Sequence, residues 1–261
     1  MGKSRKLLAG LAALTLFDIS ASMAAPPAPP TPDWSGFYVG AHAGYRWAGA
    51  TFSGDSYEFD PGTGLPISFP GRSENYSLNG GIFGGQAGYN YLLGRSWLIG
   101  IEGDFSYGSP SSSQSGSLTV IDNTFDGYTF TSTSTVKLTW QATLRGRLGY
   151  TYGPWMYYGT AGVAFMHVKW SDSSSISEIC CVSLPVDPTT AAWSGDKTLT
   201  GSVVGAGIEY MFDPNWIGRL EYLYERFGSF NVPFGFGPQI GTLNIGEVQK
   251  LRVGISYKFG H

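Results

Sequence analysis

The stretch Gly80–Gly108, GGIFGGQAGYNYLLGRSWLIGIEGDFSYG, alternates between two kinds of residue with a period of two on either side of Leu92–Ser96. After this five-residue connection, one alternating set is apolar and the other is small or acidic: Ile99, Ile101, Phe105 and Tyr107 against Gly100, Glu102, Asp104 and Ser106. Such alternation is typical of strands whose two faces meet different surroundings. A connection this short suits a β-hairpin. The stretch therefore predicts two antiparallel strands, each with an apolar face and a polar face.

The same alternation recurs along the chain and predicts eight strands. These are Gly36–Trp47, the two strands within 80–108, Val136–Tyr150, Met156–Trp170, Thr198–Phe212, Trp216–Phe227 and Glu247–Phe259. The connections alternate between long and short, and the long ones are predicted loops: Ala50–Tyr76, Ser109–Thr135, Ser171–Lys197 and Gly228–Gly246. An even number of strands with alternating connections is the topology of bacterial outer-membrane barrels, and a sheet in lipid must close because its edges cannot stay unpaired. The predicted fold is all-β, a closed eight-stranded antiparallel transmembrane up-and-down β-barrel.

The alternation also predicts which side chains face lipid. In the fourth strand it puts Val136 and Leu138 on the apolar face with Leu144, and Lys137 on the polar face; in the fifth it puts Val163 outward. Rings cluster at both predicted membrane interfaces, where aromatic belts anchor barrels. The short-turn rim has Tyr89, Tyr91, Trp97, Tyr150, Trp155, Tyr210, Phe212, Trp216, Tyr257 and Phe259, and the other rim has Trp47, Phe105, Tyr107, Phe165, Trp170 and Tyr224.

Composition agrees with a strand-rich membrane protein. The 261 residues include 38 glycines, 16 tyrosines and 16 phenylalanines, and only 13% are charged. A mean hydropathy of −0.05 is too low for a helical membrane protein, whereas barrel strands are half polar. The formal charge is −3, and basic residues cluster only within the first six positions. A nucleic-acid partner is therefore not expected.

The N-terminus has the pattern of a secretory signal peptide. Met1–Lys6 carries three bases, the apolar run Leu7–Phe17 follows, and the cleavage region is Ser22-Met23-Ala24-Ala25, with small residues at its exit. Such a run is too short to span a bilayer, which needs about 20 residues. We predict a signal peptide at 1–24, cleaved after Ala24 or Ala25, a proline-rich spacer at 25–33 and the barrel at 34–261. The mature chain then has 13 basic and 18 acidic residues, for a net charge of −5.

Several segments resemble the small outer-membrane β-barrel family of alphaproteobacteria, which is labelled porin-like and groups with OmpA-like barrels. They are Gly36-Phe37-Tyr38-Val39-Gly40, Gly84-Gly85-Gln86-Ala87-Gly88-Tyr89-Asn90, Gly146-Arg147-Leu148-Gly149-Tyr150, Gly205-Ala206-Gly207-Ile208-Glu209-Tyr210 and Glu221-Tyr222-Leu223-Tyr224. The resemblance covers essentially the whole mature chain and implies the outer membrane of a Gram-negative bacterium. It implies outer-membrane lipid, lipopolysaccharide and the barrel-assembly machinery as partners. Family members include surface immunogens and hemin-binding proteins. The chain departs from the family's terminal aromatic residue, since Gly260-His261 follows Phe259.

The predicted inward faces carry four acids and four bases: Glu102, Asp104, Glu209 and Glu221 with Arg145, Arg147, Arg219 and Arg252. Bidentate pairs would neutralise them, and isolated charges in such an interior would be costly. The set is either a polar plug or an ion-selective constriction. We favour the plug, because an eight-stranded barrel is only wide enough for side chains to fill.

Few other residues indicate chemistry. His42 and His167 are candidate ligands for a hemin iron, although no metal or haem spacing supports them. Cys180 and Cys181 are adjacent; neighbouring Cα atoms, about 3.8 Å apart, are closer than ordinary disulfide geometry allows, which leaves a strained ring, an intermolecular bridge or free thiols open. His167 with Ser171 is the one candidate catalytic pair, and no enzyme activity, catalytic residue, metal or cofactor is expected.

The leading hypothesis is a structural and surface-interaction barrel that displays four long extracellular loops. Two alternatives stay open: a narrow porin with minor ion or solute passage, and capture of hemin or another ligand by the loops. Rings in the predicted loops either stack on hemin or a host surface, or pack over the barrel mouth. They are Phe52, Tyr57, Phe59, Phe69, Phe230, Phe234 and Phe236.

Overall fold

The computed structural model describes residues 32–60, 66–121, 127–180, 190–237 and 239–259, and β-strands make up most of them. In chain order the strands are β1 (Gly36–Gly54), β2 (Tyr57–Phe59), β3 (Ile67–Phe69), β4 (Arg72–Ser77), β5 (Gly80–Leu93), β6 (Trp97–Tyr107), β7 (Ser111–Ile121), β8 (Gly127–Tyr152), β9 (Trp155–Cys180), β10 (Thr190–Asp213), β11 (Trp216–Arg226), β12 (Ser229–Phe234) and β13 (Gln239–Lys258). Within the described ranges, no helix is long and apolar enough to cross a membrane.

Eight of these strands form a closed ring. Neighbours pair in the order β1, β5, β6, β8, β9, β10, β11 and β13, and β13 pairs back onto β1. Every pairing in the ring is antiparallel, and the closing ladder runs from Tyr38 opposite Lys258 to Gly54 opposite Gly241, with a register shift after Ala48. Because ring order follows chain order, the topology is up-and-down, and the predicted fold class is confirmed.

The three short turns are tighter than the sequence predicts. β5 and β6 pair as far as Leu93 opposite Trp97, so only Gly94–Ser96 connects them. Gly94 has φ +70°, and Gly153 in the turn between β8 and β9 has φ +58°. Glycine adopts this left-handed conformation without the clash of a Cβ.

Outside the first part of β8, the predicted lipid-facing residues of the ring lie on its outer surface. Exposed fractions of 37–62% occur at alternate positions of every ring strand, for example Phe83 at 62%, Val163 at 42% and Val253 at 57%. The rings predicted for the short-turn rim reach these fractions except Tyr257, as do Trp47, Phe105, Tyr107 and Phe165 at the other rim. Tyr257 and Tyr224 are partly exposed. Trp170 does not follow the pattern, because it lies on the inward set of β9 and packs against the interior.

A β-bulge reverses the faces of β8. Leu138 pairs with Val168 of β9, but the next paired residue of β8 is Gln141, which is opposite Met166. Three steps along β8 therefore match two along β9, and one extra residue shifts the alternation. A strand without a bulge would keep one set of residues on one face throughout.

The prediction for the first part of this strand was wrong for this reason. Val136 and Leu138 are 3% and 0% exposed and lie inside, whereas Leu144 and Leu148 are 51% and 54% exposed and face outward. Lys137, between two inward residues, turns to the outer wall, where it is partly exposed. A regular alternation cannot signal such a reversal.

The four predicted loops contain strands rather than irregular chain. β7 pairs with β8, β12 with β13, the end of β1 with β4, and β9 with β10 as far as Ser175 opposite Thr190. We call the described residues of 49–77, 111–136, 170–197 and 229–245 the outer crown. Hydroxyl pairs such as Ser113–Thr135, 2.9 Å apart, line its ladders. The solvated parts of these strands do not alternate between polar and apolar residues, so their sequence resembles that of loops.

Side chains fill the barrel interior in three layers. A short-turn plug lies at the end nearest the short turns, and its members are Trp34, Leu98, Met156, Tyr158, Met211 and Ile217. Charged side chains occupy the middle. An apolar outer core fills the half toward the crown: Ala48, Ala50, Phe52, Tyr76, Leu78, Val136, Leu138, Ala164, Met166, Val168, Leu199, Val203, Leu223, Phe227, Phe230, Val232, Phe234, Leu243, Ile245 and Val248.

Some predictions fall outside the described residues. The signal peptide at 1–24, all but the last two residues of the spacer, Cys181 and Gly260-His261 lie there. They stay predictions.

Candidate functional site

All eight charged residues proposed from the sequence lie together in the middle of the barrel, and we call them the ionic layer. Their exposed fractions are at most 7%: Glu102, Asp104, Arg145, Arg147, Glu209, Arg219, Glu221 and Arg252. They come from β6, β8, β10, β11 and β13. Each occupies an inward position of its strand, so the period-two alternation places all eight on the interior side of the barrel wall.

Arg145 is the centre of the ionic layer, because it contacts three carboxylates. Its Nη2 lies 2.5 Å from Oε1 of Glu102 and 2.9 Å from Oδ2 of Asp104. Its Nη1 donates to Oε1 of Glu221 at 2.8 Å, and its Nε donates to Oγ1 of Thr143 at 3.0 Å. Every nitrogen of this guanidinium therefore has a partner.

Arg147 and Arg219 form a second group, which shares Glu102 with Arg145. Nη2 of Arg147 and Nε of Arg219 both donate to Oε1 of Glu209 at 2.7 Å. Nη2 of Arg219 also donates to Oε2 of Glu102 at 2.5 Å. Glu102 therefore links this group to the one around Arg145, and the ion pairs form a continuous network.

Arg252 extends the network to His42. Its Nη1 donates to Oδ1 of Asp104 at 2.9 Å, it pairs with Glu221, and it lies 3.4 Å from Nε2 of His42. His42 also contacts Oε1 of Gln86 at 2.6 Å through Nδ1 and Ser106 at 2.9 Å through Nε2. Both ring nitrogens of this candidate ligand are thus occupied by neighbouring side chains.

Two buried tyrosines complete the ionic layer, and the sequence analysis did not assign them to it. The Tyr38 hydroxyl donates to Oε2 of Glu102 at 2.6 Å, and that of Tyr158 donates to Glu221 at 2.9 Å. The guanidinium of Arg147 lies 4.1 Å from the Tyr158 ring centroid, a cation–π contact. The sequence signal for Tyr38 was its position among the polar set of β1.

Glycines in the family-like segments make room for these rings. A Cβ at Gly88 would lie 2.4 Å from the Tyr38 hydroxyl oxygen, and one at Gly207 would lie 2.5 Å from that of Tyr158. Only glycine permits this approach. The segments GQAGYN and GAGIEY therefore combine polar or acidic inward residues with space for a neighbour's ring.

A smaller charged group lies between the ionic layer and the apolar outer core. Lys250 Nζ is 2.6 Å from Oε1 of Glu225, and Oε2 of the same carboxylate accepts a hydrogen bond from Gln141. Arg46 is 1% exposed, and its Nε and Nη2 have no hydrogen-bond partner among the described residues. All four occupy inward positions, so the alternation could have added them to the predicted set.

The arrangement fills space rather than leaving a reactive group open. Four acids and four bases balance within the ionic layer, and their hydrogen bonds are mutual. Buried ions cost desolvation free energy that only good pairing recovers, and removing one partner leaves an uncompensated charge. In the described part of the chain, no group of three or more His, Cys, Asp or Glu residues could hold a metal ion.

His167 lies on the outer wall, away from His42. Its ring stacks on Trp140 at a centroid distance of 5.4 Å and an interplanar angle of 4°. Its Nε2 is 3.6 Å from Oδ2 of Asp196. Ser171 lies four residues further along β9, which is about 13 Å of extended strand. The structure therefore brings together neither the two candidate ligands nor the candidate catalytic pair.

A second polar cluster holds the outer crown. Asp172 is 4% exposed and accepts hydrogen bonds from Ser134 at 2.5 Å and from the Gly235 amide at 3.2 Å. Arg72 lies 3.5 Å from the same carboxylate and 2.5 Å from Glu74. Three segments of the crown thus meet at one acidic side chain.

The rings of the predicted loops pack mainly on one another. Tyr57 and Phe69 stack at 4.9 Å, Phe69 meets Phe130 edge-on at 4.9 Å, and Phe52 meets Phe234 at 5.2 Å. Beside the first three of these rings is a pocket of about 270 Å³, lined by Tyr57, Phe69, Phe130, Phe236, Arg72, Glu74 and several serines. The sequence leaves two interpretations of these rings open, binding of hemin or a host surface and packing over the barrel mouth. Packing over the barrel mouth accounts for most of the ring contacts.

A closed ring of eight strands, with an apolar outer surface, aromatic rims and a charged interior, defines an integral outer-membrane β-barrel protein. The chain belongs to the outer membrane protein beta-barrel domain family, whose model matches residues 9–259. This confirms the family resemblance and places the protein in the outer membrane of a Gram-negative bacterium.

The curated relatives agree with this assignment. The chain is 34% identical over 239 residues to a 31 kDa outer-membrane immunogenic protein of Brucella melitensis, a match covering 90% of this chain and 88% of the relative. It is 29% identical to a 22 kDa outer membrane protein of Rhizobium leguminosarum, covering 89% and 82%. It is 27% identical to a 25 kDa outer-membrane immunogenic protein of Brucella abortus, covering 94% and 91%.

Solved structures show weaker similarity. The outer membrane protein OprG of Pseudomonas aeruginosa aligns with a TM-score of 0.44 at 10% identity, covering 87% of this chain and 97% of that one. The outer membrane protease OmpT of Escherichia coli aligns with a TM-score of 0.44 at 12% identity, covering 88% and 98%. Similarity at this level carries no argument about function.

Proposed function

We propose that the protein is a sealed, non-enzymatic barrel that supports the outer membrane and presents the outer crown at the cell surface. The observation that carries this is the filled interior, in which the short-turn plug, the ionic layer and the apolar outer core follow one another along the barrel. A solute would have to displace several buried side chains in each layer.

The outer crown supports the surface-interaction part of the proposal. It continues the barrel strands past the apolar band and is braced by Asp172 and by the ring cluster around Phe69. Such bracing presents a defined surface to the exterior. Two relatives are named as immunogenic proteins of the outer membrane, which is consistent with an accessible crown.

Recording from single proteins in planar lipid bilayers tests the sealed interior. We expect the purified, refolded protein to give no stable conductance steps. Glu102→Ala and Arg145→Ala are recorded in parallel, with Arg95→Ala in the exposed turn between β5 and β6 as the matched control. Stable steps whose ion selectivity shifts in the first two variants, but not in the control, would show that ions cross the ionic layer. That result would favour the narrow porin instead.

Ligand capture by the outer crown is a second candidate function, and the pocket beside Phe69 is the observation that favours it. Its volume of about 270 Å³ is just below the roughly 300–1,000 Å³ of typical small-molecule sites. Hemin would therefore enter only in part, and a smaller ring compound fits better. Arg72 and Glu74 would supply the polar contacts.

Hemin titration, followed by its absorbance change, tests this second candidate. The refolded protein is compared with Arg72→Gln and with a version that lacks the third and fourth predicted loops, Ser171–Lys197 and Gly228–Gly246. Saturable binding that both changes weaken would support a site in the crown. Equal binding by all three proteins would rule out capture there.

A further inference from the structure

Two lysines stand side by side on the outer wall of the barrel. Lys137 of β8 and Lys169 of β9 are directly opposite each other in the antiparallel ladder. Side chains in this relation have Cβ atoms about 4.5–5.5 Å apart, and like charges there repel. In the described ranges, no carboxylate forms an ion pair with either ammonium group.

The β8 bulge creates this pair. Inward residues on the barrel side of the bulge are odd-numbered, as Gln141 and Arg145 show, so an unbroken strand would also turn Lys137 inward. The extra residue between Leu138 and Gln141 turns Lys137 outward instead. The bulge thus exchanges a buried lysine for a second cation beside Lys169.

The lysines line a shallow groove of about 370 Å³. Its other lining residues are Thr135, Trp170, Ser171, Ser194, Gly195 and Asp196. Asp196 is opposite Lys169 in the ladder between β9 and β10, and its carboxylate lies 3.6 Å from His167 Nε2. The groove is therefore lined by two ammonium groups, several hydroxyls and one carboxylate. That carboxylate already has the His167 imidazole as a neighbour.

The groove lies at the depth of lipid headgroups. Trp140 and His167 stack just below it, and aromatic rings of this kind mark the boundary between acyl chains and headgroups. Lys169 is two residues beyond His167, which is about 6–7 Å further along the strand. The rim is the one opposite the short turns, so it faces the outer leaflet.

We propose that the groove between Lys137 and Lys169 binds a phosphate of the lipid A headgroup of lipopolysaccharide. Two ammonium groups would donate charge-assisted hydrogen bonds to the phosphate oxygens, and Ser171 and Thr135 would contribute hydroxyl donors. The bound anion would also remove the repulsion between the lysines. The acyl chains of the same lipid would lie against the outward rings of β8 and β9.

Native mass spectrometry of the refolded protein in detergent, with diphosphoryl lipid A as the probe, tests the proposal. The double variant Lys137→Gln, Lys169→Gln should bind roughly tenfold or more weakly, because each lysine near an anionic headgroup contributes to the attraction. Arg226→Gln removes another exposed cation, which is opposite Glu247, and should leave binding unchanged. Heat-dependent gel mobility confirms that each variant is folded.

Three results would overturn the proposal. The double variant could bind as tightly as the original chain, or Arg226→Gln could weaken binding to the same extent, which would indicate general charge attraction. The original chain could also bind phosphatidylglycerol as tightly as it binds lipid A, which would indicate a site for any anionic lipid. Selective loss in the double variant alone supports the groove as a lipopolysaccharide site.

Discussion

Two adjacent layers of the barrel interior are filled by opposite chemistry. In the middle of the barrel, the ionic layer packs four acids against four bases, all nearly inaccessible to solvent. Toward the crown, the apolar outer core packs aliphatic and aromatic side chains against one another. Both exclude water, but an ion network is satisfied only in one arrangement, whereas an apolar core tolerates several. The comparison suggests that the ionic layer fixes strand register and the apolar outer core adds stability.

Breaking the centre of the ionic layer should have the largest effect on stability. Arg145→Leu removes the cation that contacts Glu102, Asp104 and Glu221 together, so we expect a loss of about 3–5 kcal/mol in the free energy of unfolding. Urea titration of the protein in lipid vesicles, followed by tryptophan fluorescence, measures this.

Arg46→Leu is the matched control for that experiment, because Arg46 is equally buried but has unpartnered guanidinium nitrogens in the described residues. Arg46→Leu should lower the free energy of unfolding much less than Arg145→Leu, or even raise it. Equal losses in both variants would mean that burial of a cation, and not the network, decides stability.

A cavity in the apolar outer core should have a somewhat smaller effect. Leu138 is 0% exposed, and Leu138→Ala removes its packing and leaves a void, at a cost of about 3 kcal/mol. Leu144→Ala, on the lipid-facing side of the same strand, creates no void and should cost less in the same titration. If the lipid-facing variant were the more damaging, the assignment of faces across the β8 bulge would be wrong.

Crowding a tyrosine of the ionic layer tests how rigid that layer is. Gly207→Ala places a Cβ 2.5 Å from the Tyr158 hydroxyl oxygen, and overpacking of this kind costs about 1–3 kcal/mol. Gly159→Ala is the control, since the nearest atom to its Cβ would be 4.0 Å away. Equal stability of the two variants would show that the ionic layer can shift without penalty.

The smallest effect is expected in the outer crown. Asp172→Asn weakens the bonds of this side chain with Ser134 and Arg72. Altering a buried acceptor costs about 1–3 kcal/mol of the free energy of unfolding. We expect faster hydrogen exchange at the Gly235 amide, which donates to Asp172, and unchanged exchange in β11. Faster exchange throughout the ring would mean that crown and barrel unfold together.

The barrel and its ionic layer follow from one sequence property, the period of two. Because alternation decides which side chains share a face, it groups Glu102 with Asp104 and Arg145 with Arg147 from the sequence alone. Eight strands can close only into a narrow cylinder, so side chains on the polar face must meet. The specific partners, such as Arg145 with Glu221 across the lumen, depend on stagger between strands and are not encoded in spacing.

Two other features escaped the pattern for physical reasons. One extra residue near Trp140 reverses the faces of β8, and no residue type marks a bulge. The crown strands carry serine and threonine on solvated faces, so hydrogen-bonded ladders hold them without an apolar alternation. Sequence periodicity therefore describes strands that lie in lipid better than strands that continue beyond it.

Fluorescence quenching of single-tryptophan variants tests most directly whether this is a closed, filled barrel in lipid. One variant keeps only Trp34, which is 1% exposed, and the other keeps only Trp216, which is 41% exposed on the outer wall; phenylalanine replaces the remaining seven tryptophans in each. In vesicles, brominated lipid should quench Trp216 strongly, while neither brominated lipid nor aqueous acrylamide should quench Trp34. Strong quenching of Trp34 by acrylamide would contradict a sealed interior, and quenching of Trp34 by the lipid would contradict the barrel orientation itself.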